Sequence, residues 1–257
     1  MATLKRELTD AVDALPSALN PLALSLNENP FPPLPAVRSA LIEAVDAANR
    51  YPEFLPERLR SLIAGRVGVR DEQVVIGVGA TGVILQVLLA VTSPGEKMVM
   101  TSPTFDGYPI FAQMARLESV TVALDAHGHH DLDAMADAAA DARVVVVCRP
   151  HNPTGTIEPT ADIERFLERV PSDTVVLLDE AYVEFLSPAY RIDAPALVER
   201  YPNVVVLRTF SKAYGLAGLR VGYAAGHPEL ITAMDKAYVP FTATSISQAA
   251  AIASLSV

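Results

Sequence analysis

A single cysteine and the lack of any basic run set the first limits on this chain of 257 residues. Cys148 has no partner for an internal disulfide. It ends an apolar run and reads as a buried core thiol, compatible with a reducing compartment. Acidic side chains outnumber basic ones, 30 to 20, and the formal net charge is −10. That balance argues against nucleic acid or an anionic membrane as a partner. Long apolar spans are also missing. The uncharged stretch 73–95 is broken by glycines, and 237–257 carries Pro240 among many Ser and Thr, so neither reads as a membrane helix. Lys5, Arg6, Glu7 and Asp10 leave no apolar segment for a signal peptide. A cytoplasmic protein is expected.

What is present is enough apolar material for a sizeable core: 51% hydrophobic against 19% charged. Residues 1–35 are proline-rich and read as an extended arm, with one larger domain over 36–257. Helical patterns at 35–49, 57–67, 83–91, 108–117, 131–142 and 160–170 alternate with short apolar runs at 73–78, 97–101, 120–124, 143–148, 174–178 and 203–207. Near-continuous apolar strands separated by helices of crossover length predict a three-layer α/β/α fold with a mostly parallel central sheet.

In such sheets ligands sit beyond the carboxyl ends of the strands, so the residues there are the candidates for chemistry. Lys212 lies just past the run 203–207, with hydroxyls at Thr209 and Ser211 and an arginine at Arg220. A lysine is seldom buried without a task, and hydroxyls with arginine suit a phosphate. A desolvated lysine suits a Schiff base, so the set points to pyridoxal phosphate. Other strand ends agree. Asp179 can keep a pyridine nitrogen protonated, Asn152 and Tyr182 can bond a ring hydroxyl, and Phe105 can stack on the ring. Amides at Ala80 and Thr81, opening a helix, favour phosphate.

The ordered motifs Leu26-Asn27-Glu28-Asn29-Pro30-Phe31, Arg50-Tyr51-Pro52, Asn152-Pro153-Thr154-Gly155, Asp179-Glu180-Ala181-Tyr182 and Ser211-Lys212 to Arg220 span nearly the whole chain. Through them it resembles the fold-type I pyridoxal-phosphate aminotransferases, in the histidinol-phosphate aminotransferase-like branch. The resemblance implies that Lys212 is the Schiff-base lysine, that Asp179 pairs with the ring nitrogen, and that Tyr182 assists as a catalytic group. It implies phosphate contacts from Ala80, Thr81, Thr209, Ser211 and Arg220, and substrate contacts from Asn29, Tyr51 and Asn152. Tyr51 would reach the cofactor phosphate of a neighbouring subunit, so a homodimer with shared sites is implied. The substrates would be an amino acid, histidinol phosphate or an aromatic one, and 2-oxoglutarate.

In the family a small C-terminal domain comes next, carrying the arginine for the substrate carboxylate. That domain is expected to be largely missing here, which leaves a fragment or a natural truncation. Three readings stay open: an aminotransferase, a decarboxylase of the threonine-phosphate type, and a non-catalytic remnant. His127, His129 and His130 read as a solvated loop in preference to a metal cluster. His151, where the branch usually carries asparagine, either touches substrate or faces the sheet edge.

Overall fold

The computed structural model describes residues 17–256. The part of the proline-rich arm before residue 17 therefore lies outside the described residues. Residues 17–34 form turns and bends, and regular structure begins with α1 (Pro35–Val45) and α2 (Glu57–Val67). Then come β1 (Val74–Val78), α3 (Gly79–Val91), β2 (Lys97–Ser102), α4 (Gly107–Met114), β3 (Glu118–Ala123) and α5 (Leu132–Ala139). The chain continues through β4 (Val144–Cys148), α6 (Thr160–Arg169), β5 (Val175–Asp179), α7 (Ala194–Arg200) and β6 (Val204–Thr209). It closes with β7 (Val221–Gly226), α8 (Pro228–Asp235) and α9 (Ser245–Leu255).

The strands build one seven-stranded sheet in the order β1-β7-β6-β5-β4-β2-β3. Strands β3, β2, β4, β5 and β6 pair in parallel, while β7 is antiparallel to both its neighbours, β1 and β6. Side chains alternate along each strand. In β4, Val144 and Val146 face one apolar core with Val83, Val87 and Phe111, while Val145 and Val147 face a second with Met135, Ile163 and Leu197. A third cluster packs α1, α2 and α9 against β1 and β7 through Leu59, Ile63, Ile76 and Ala250. Burial on both faces is why these strands are unbroken apolar runs in the sequence.

Several boundaries differ from the sequence reading. Helix α3 opens at Gly79, not Val83, and α5 opens at Leu132, where the Asp131 carboxylate accepts from the Ala134 N–H at 3.0 Å. β7 carries no strand signal, because Val221-Gly222-Tyr223-Ala224-Ala225-Gly226 is rich in glycine and alanine. Its burial between two strands makes it a strand all the same.

The histidine loop also departs from expectation. His130 is 5% exposed, and its Nδ1 lies 2.8 Å from a Glu158 carboxylate oxygen, so it is not solvated. His151 packs on it, with ring centroids 4.6 Å apart, and bonds Thr154 Oγ1 at 2.8 Å. It therefore faces the interior. Burial, helped by His130, lowers the His151 pKa from 6.5 to about 4. Burial pushes Glu158 up, but the bonds and charge of His130 prevail and lower it from 4.5 to about 2. Both folded-state values lie below the unfolded ones. The stability contributed by His151 is thus complete above pH 6.5 and lost as pH falls towards 4, and that of Glu158 is lost below 4.5. In urea unfolding, His151→Asn should flatten the decline of stability between pH 6.5 and 4; an unchanged slope contradicts this assignment.

Candidate active site

Because β1, β2, β4, β5 and β6 point one way, their carboxyl ends share one edge of the sheet. β7 runs back, so its beginning, just after Arg220, lies at that same edge. There a cavity of about 650 Å³ opens, bordered by Lys212, Asp179, Tyr182, Asn152 and Phe105. Ala80, Thr81, Thr209, Ser211 and Arg220 complete the wall on the β1 and β7 side. The fold thus brings together ten of the residues singled out from sequence.

The Lys212 amine donates to the carbonyl oxygens of Leu26 and Asn27 at 3.0 and 3.1 Å. Segment 25–28 of the arm lines the same cavity. Burial lowers the Lys212 pKa below the usual lysine range, against the opposing charges of Glu28 and Asp179. More of the amine is then neutral, the form that attacks a carbonyl. Asp179, the last residue of β5, is 4% exposed. Burial raises its pKa, and hydrogen bonds from Tyr108 and the Ala181 N–H resist the rise. Glu180 turns to the opposite side and accepts two bonds from Arg208, at 2.9 and 2.7 Å. A short 3₁₀ turn, Val183–Phe185, comes next. The Tyr182 hydroxyl accepts from Asn27 Nδ2 at 3.1 Å, and its pKa is raised by burial.

The opposite wall is built for an anion. Helix α3 has no side-chain cap and no acidic residue in its first turn; Gly79 N–H donates to the Arg220 carbonyl, and the N–H groups that follow, from Ala80 on, face no side-chain acceptor and suit a ligand. The Arg220 guanidinium reaches Ser211 Oγ at 3.3 Å and Thr81 Oγ1 at 3.2 Å, gathering hydroxyls and charge at one point. Two glycines make this approach possible. A Cβ on Gly79, whose φ is +70°, would collide with the Arg220 guanidinium. A Cβ on Gly222 would collide with the backbone nitrogen of Ala80. Arg220 itself adopts a left-handed conformation, φ 56° and ψ 56°, costly for a side-chain-bearing residue and found where structure enforces it. A concentrated donor set beside a desolvated lysine and a buried carboxylate fits pyridoxal phosphate at its phosphate, its aldehyde and its ring nitrogen.

Two expected residues are elsewhere. Asn29 spends its side chain on the Ala213 carbonyl at 3.1 Å and the Phe31 N–H at 3.0 Å, in a separate hollow of about 380 Å³. Tyr51 is 85% exposed and packs on Phe241, with ring centroids 5.1 Å apart. Sequence reasoning missed Tyr108, whose hydroxyl reaches Asp179, because a tyrosine inside an apolar helix gives no polar signal.

The architecture and this cavity are those of an α/β domain suited to a phosphate-bearing aldehyde held at a lysine. Residues 20–257 match the aminotransferase class I and II family, and the chain belongs to it. Among curated relatives, an aromatic amino acid aminotransferase of Streptomyces avermitilis is 47% identical over 93% of this chain and 67% of its own length. A histidinol-phosphate aminotransferase from Sinorhizobium meliloti, solved with pyridoxal-5'-phosphate, superposes with a TM-score of 0.85 at 31% identity, covering 90% of this chain and 63% of that one. An L-threonine-O-3-phosphate decarboxylase from Porphyromonas gingivalis gives 0.73 at 25% identity, over 84% of this chain and 63% of that one. The chain thus spans about two thirds of the length of these relatives.

Gly79→Ala tests the anion wall. The added methyl meets Arg220 and demands a strained backbone, so affinity for pyridoxal phosphate should fall at least about tenfold, the worth of one charge-assisted hydrogen bond. Unchanged affinity in an absorbance titration would remove Arg220 from the phosphate cradle.

Proposed function

We propose that this chain is the cofactor-binding large domain of a pyridoxal-phosphate-dependent aminotransferase that takes its amino group from an aromatic amino acid and passes it to 2-oxoglutarate. The observation that carries this reading is the meeting of Lys212, Asp179 and the Arg220 cradle in one cavity. When bound, pyridoxal phosphate supplies an electron sink for the pair released as the substrate Cα–H bond breaks. Holding the cofactor and moving the proton fall to residues of this chain. Lys212 Nζ would anchor the cofactor aldehyde, then take the substrate Cα proton and deliver it to the C4′ carbon of the cofactor. Its lowered pKa suits it to both roles. Asp179 keeps a negative charge against the ring nitrogen. Asn152 and Tyr182 hold the ring hydroxyl, and Phe105 lies against the ring face. Thr81, Ser211, Thr209, Arg220 and the Ala80 amide hold the phosphate.

The choice of an aromatic donor over histidinol phosphate rests on charge. The cations that line the cavity are Lys212 and Arg220, and both are committed to the cofactor. Asp179 aside, which serves the ring nitrogen, the remaining charged residues on its wall, Glu28 and Asp106, are acidic and would repel a second phosphate. The names of the curated relatives agree. A homodimer is part of the proposal: Tyr51 is free of its own cavity and exposed for a neighbouring subunit. So is a cytoplasmic setting, supported by the lone buried cysteine. No helix among the described residues is long and apolar enough to cross a membrane.

A single-turnover experiment tests the reading. Holoprotein mixed with phenylalanine should yield one equivalent of the oxo acid with pyridoxamine phosphate, and react more slowly with histidinol phosphate. Release of carbon dioxide would place the chain with decarboxylases, and absence of any product would support a non-catalytic remnant. Removing the rim charge in Glu28→Gln with Asp106→Asn should narrow the gap between the two donors by about tenfold, since close like-charge contacts cost at least this much. An unchanged ratio would show that the rim does not select.

A further inference from the structure

We propose that Tyr108 is a positioning residue for the cofactor ring, fixing the Asp179 carboxylate through its hydroxyl and the Phe105 ring through its own ring edge. The inference rests on the pyridoxal-phosphate reading above and adds a residue to it. Tyr108 sits in the first turn of α4 and is fully buried. Its hydroxyl donates to Asp179 Oδ2 at 2.6 Å, a short bond of the kind made to an ionised acceptor. The other oxygen, Oδ1, accepts from the Ala181 N–H at 2.9 Å. With both oxygens anchored on different elements, α4 and the turn after β5, the carboxylate plane cannot rotate.

The ring of Tyr108 does a second job. It meets Phe105 edge to face, with centroids 5.3 Å apart, and Gly107 between them leaves the space, since a Cβ there would collide with the Phe105 ring. One side chain therefore sets the relative placement of two groups assigned to opposite tasks, the charge at the ring nitrogen and the apolar surface under the ring. The environment explains why an anchor is needed. Asp179 is buried, which favours its neutral form, and the Tyr108 hydroxyl is foremost among the hydrogen bonds that favour the anion. Without that hydroxyl the carboxyl gains a proton more readily and loses one of its two fixed orientations.

The test compares pyridoxal phosphate with its 1-deaza analogue, whose ring carries C–H in place of the nitrogen, in wild type, Tyr108→Phe and Asp179→Asn. Dissociation constants are measured by absorbance, so the readout is binding and not turnover. Wild type should prefer pyridoxal phosphate. Tyr108→Phe keeps the ring packing and should lose about tenfold of that preference, the scale of one hydrogen bond to a charged group, while its affinity for the deaza analogue stays unchanged. The preference is a ratio formed within each protein, so a change in the folded fraction cancels. If Tyr108→Phe weakens both cofactors equally, or neither, while Asp179→Asn abolishes the preference, the inference fails and the cofactor reading stands. If wild type binds neither cofactor, or shows no preference, the assignment of Asp179 falls and the inference with it.

Discussion

The backbone of β7 passes so close to the start of α3 at Gly222 that no side chain fits between them, and the geometry of the site depends on this approach. The sheet would otherwise be parallel throughout. By entering antiparallel between β1 and β6, β7 places its first residues at the edge where the other strands end. Arg220, just before it, then stands over the first turn of α3, and the Gly79 N–H donates to the Arg220 carbonyl at 3.0 Å. Helix N–H groups, hydroxyls from two segments and a guanidinium converge without any long loop. The left-handed backbone of Arg220 is the local cost of that convergence.

Across the cavity the governing term is desolvation. Burial acts in opposite directions on the two reactive groups: it lowers the Lys212 pKa and raises that of Asp179. For the lysine this is useful, since the neutral amine is the reactive form. For the aspartate it opposes the role proposed for it, which needs the anion. The fold answers with donors placed only at the aspartate, the Tyr108 hydroxyl and the Ala181 amide. The arm adds a third influence, holding the Lys212 amine with two backbone carbonyls and the Tyr182 hydroxyl with Asn27.

The parallel strands and their end residues were legible in sequence because both their faces are buried, which writes an unbroken run of Val, Ile and Leu. The end of each such run marks a position on the ligand-binding edge of the sheet. That logic located Asn152, Asp179 and Lys212 at one edge. It failed for β7, whose glycines and alanines serve close packing and give no β-branched signal, and for α3, where the helix expected from Val83 already opens at Gly79. Tyr108 carries no signal of its own, and His130 is buried where a solvated loop is expected, for a related reason: their partners, Asp179 and Glu158, are far away in sequence. Asn29 lies outside the cavity because the arm turns its side chain onto Ala213 and Phe31, a contact that no local pattern announces.

The proposed function turns on Lys212 as the residue that would carry the cofactor aldehyde. The direct test is to mix the protein with pyridoxal phosphate, reduce with borohydride, digest and map the modified peptide by mass. The account predicts one cofactor per chain, on Lys212. Reduction products spread over other lysines, or an undiminished yield from Lys212→Ala, would contradict it.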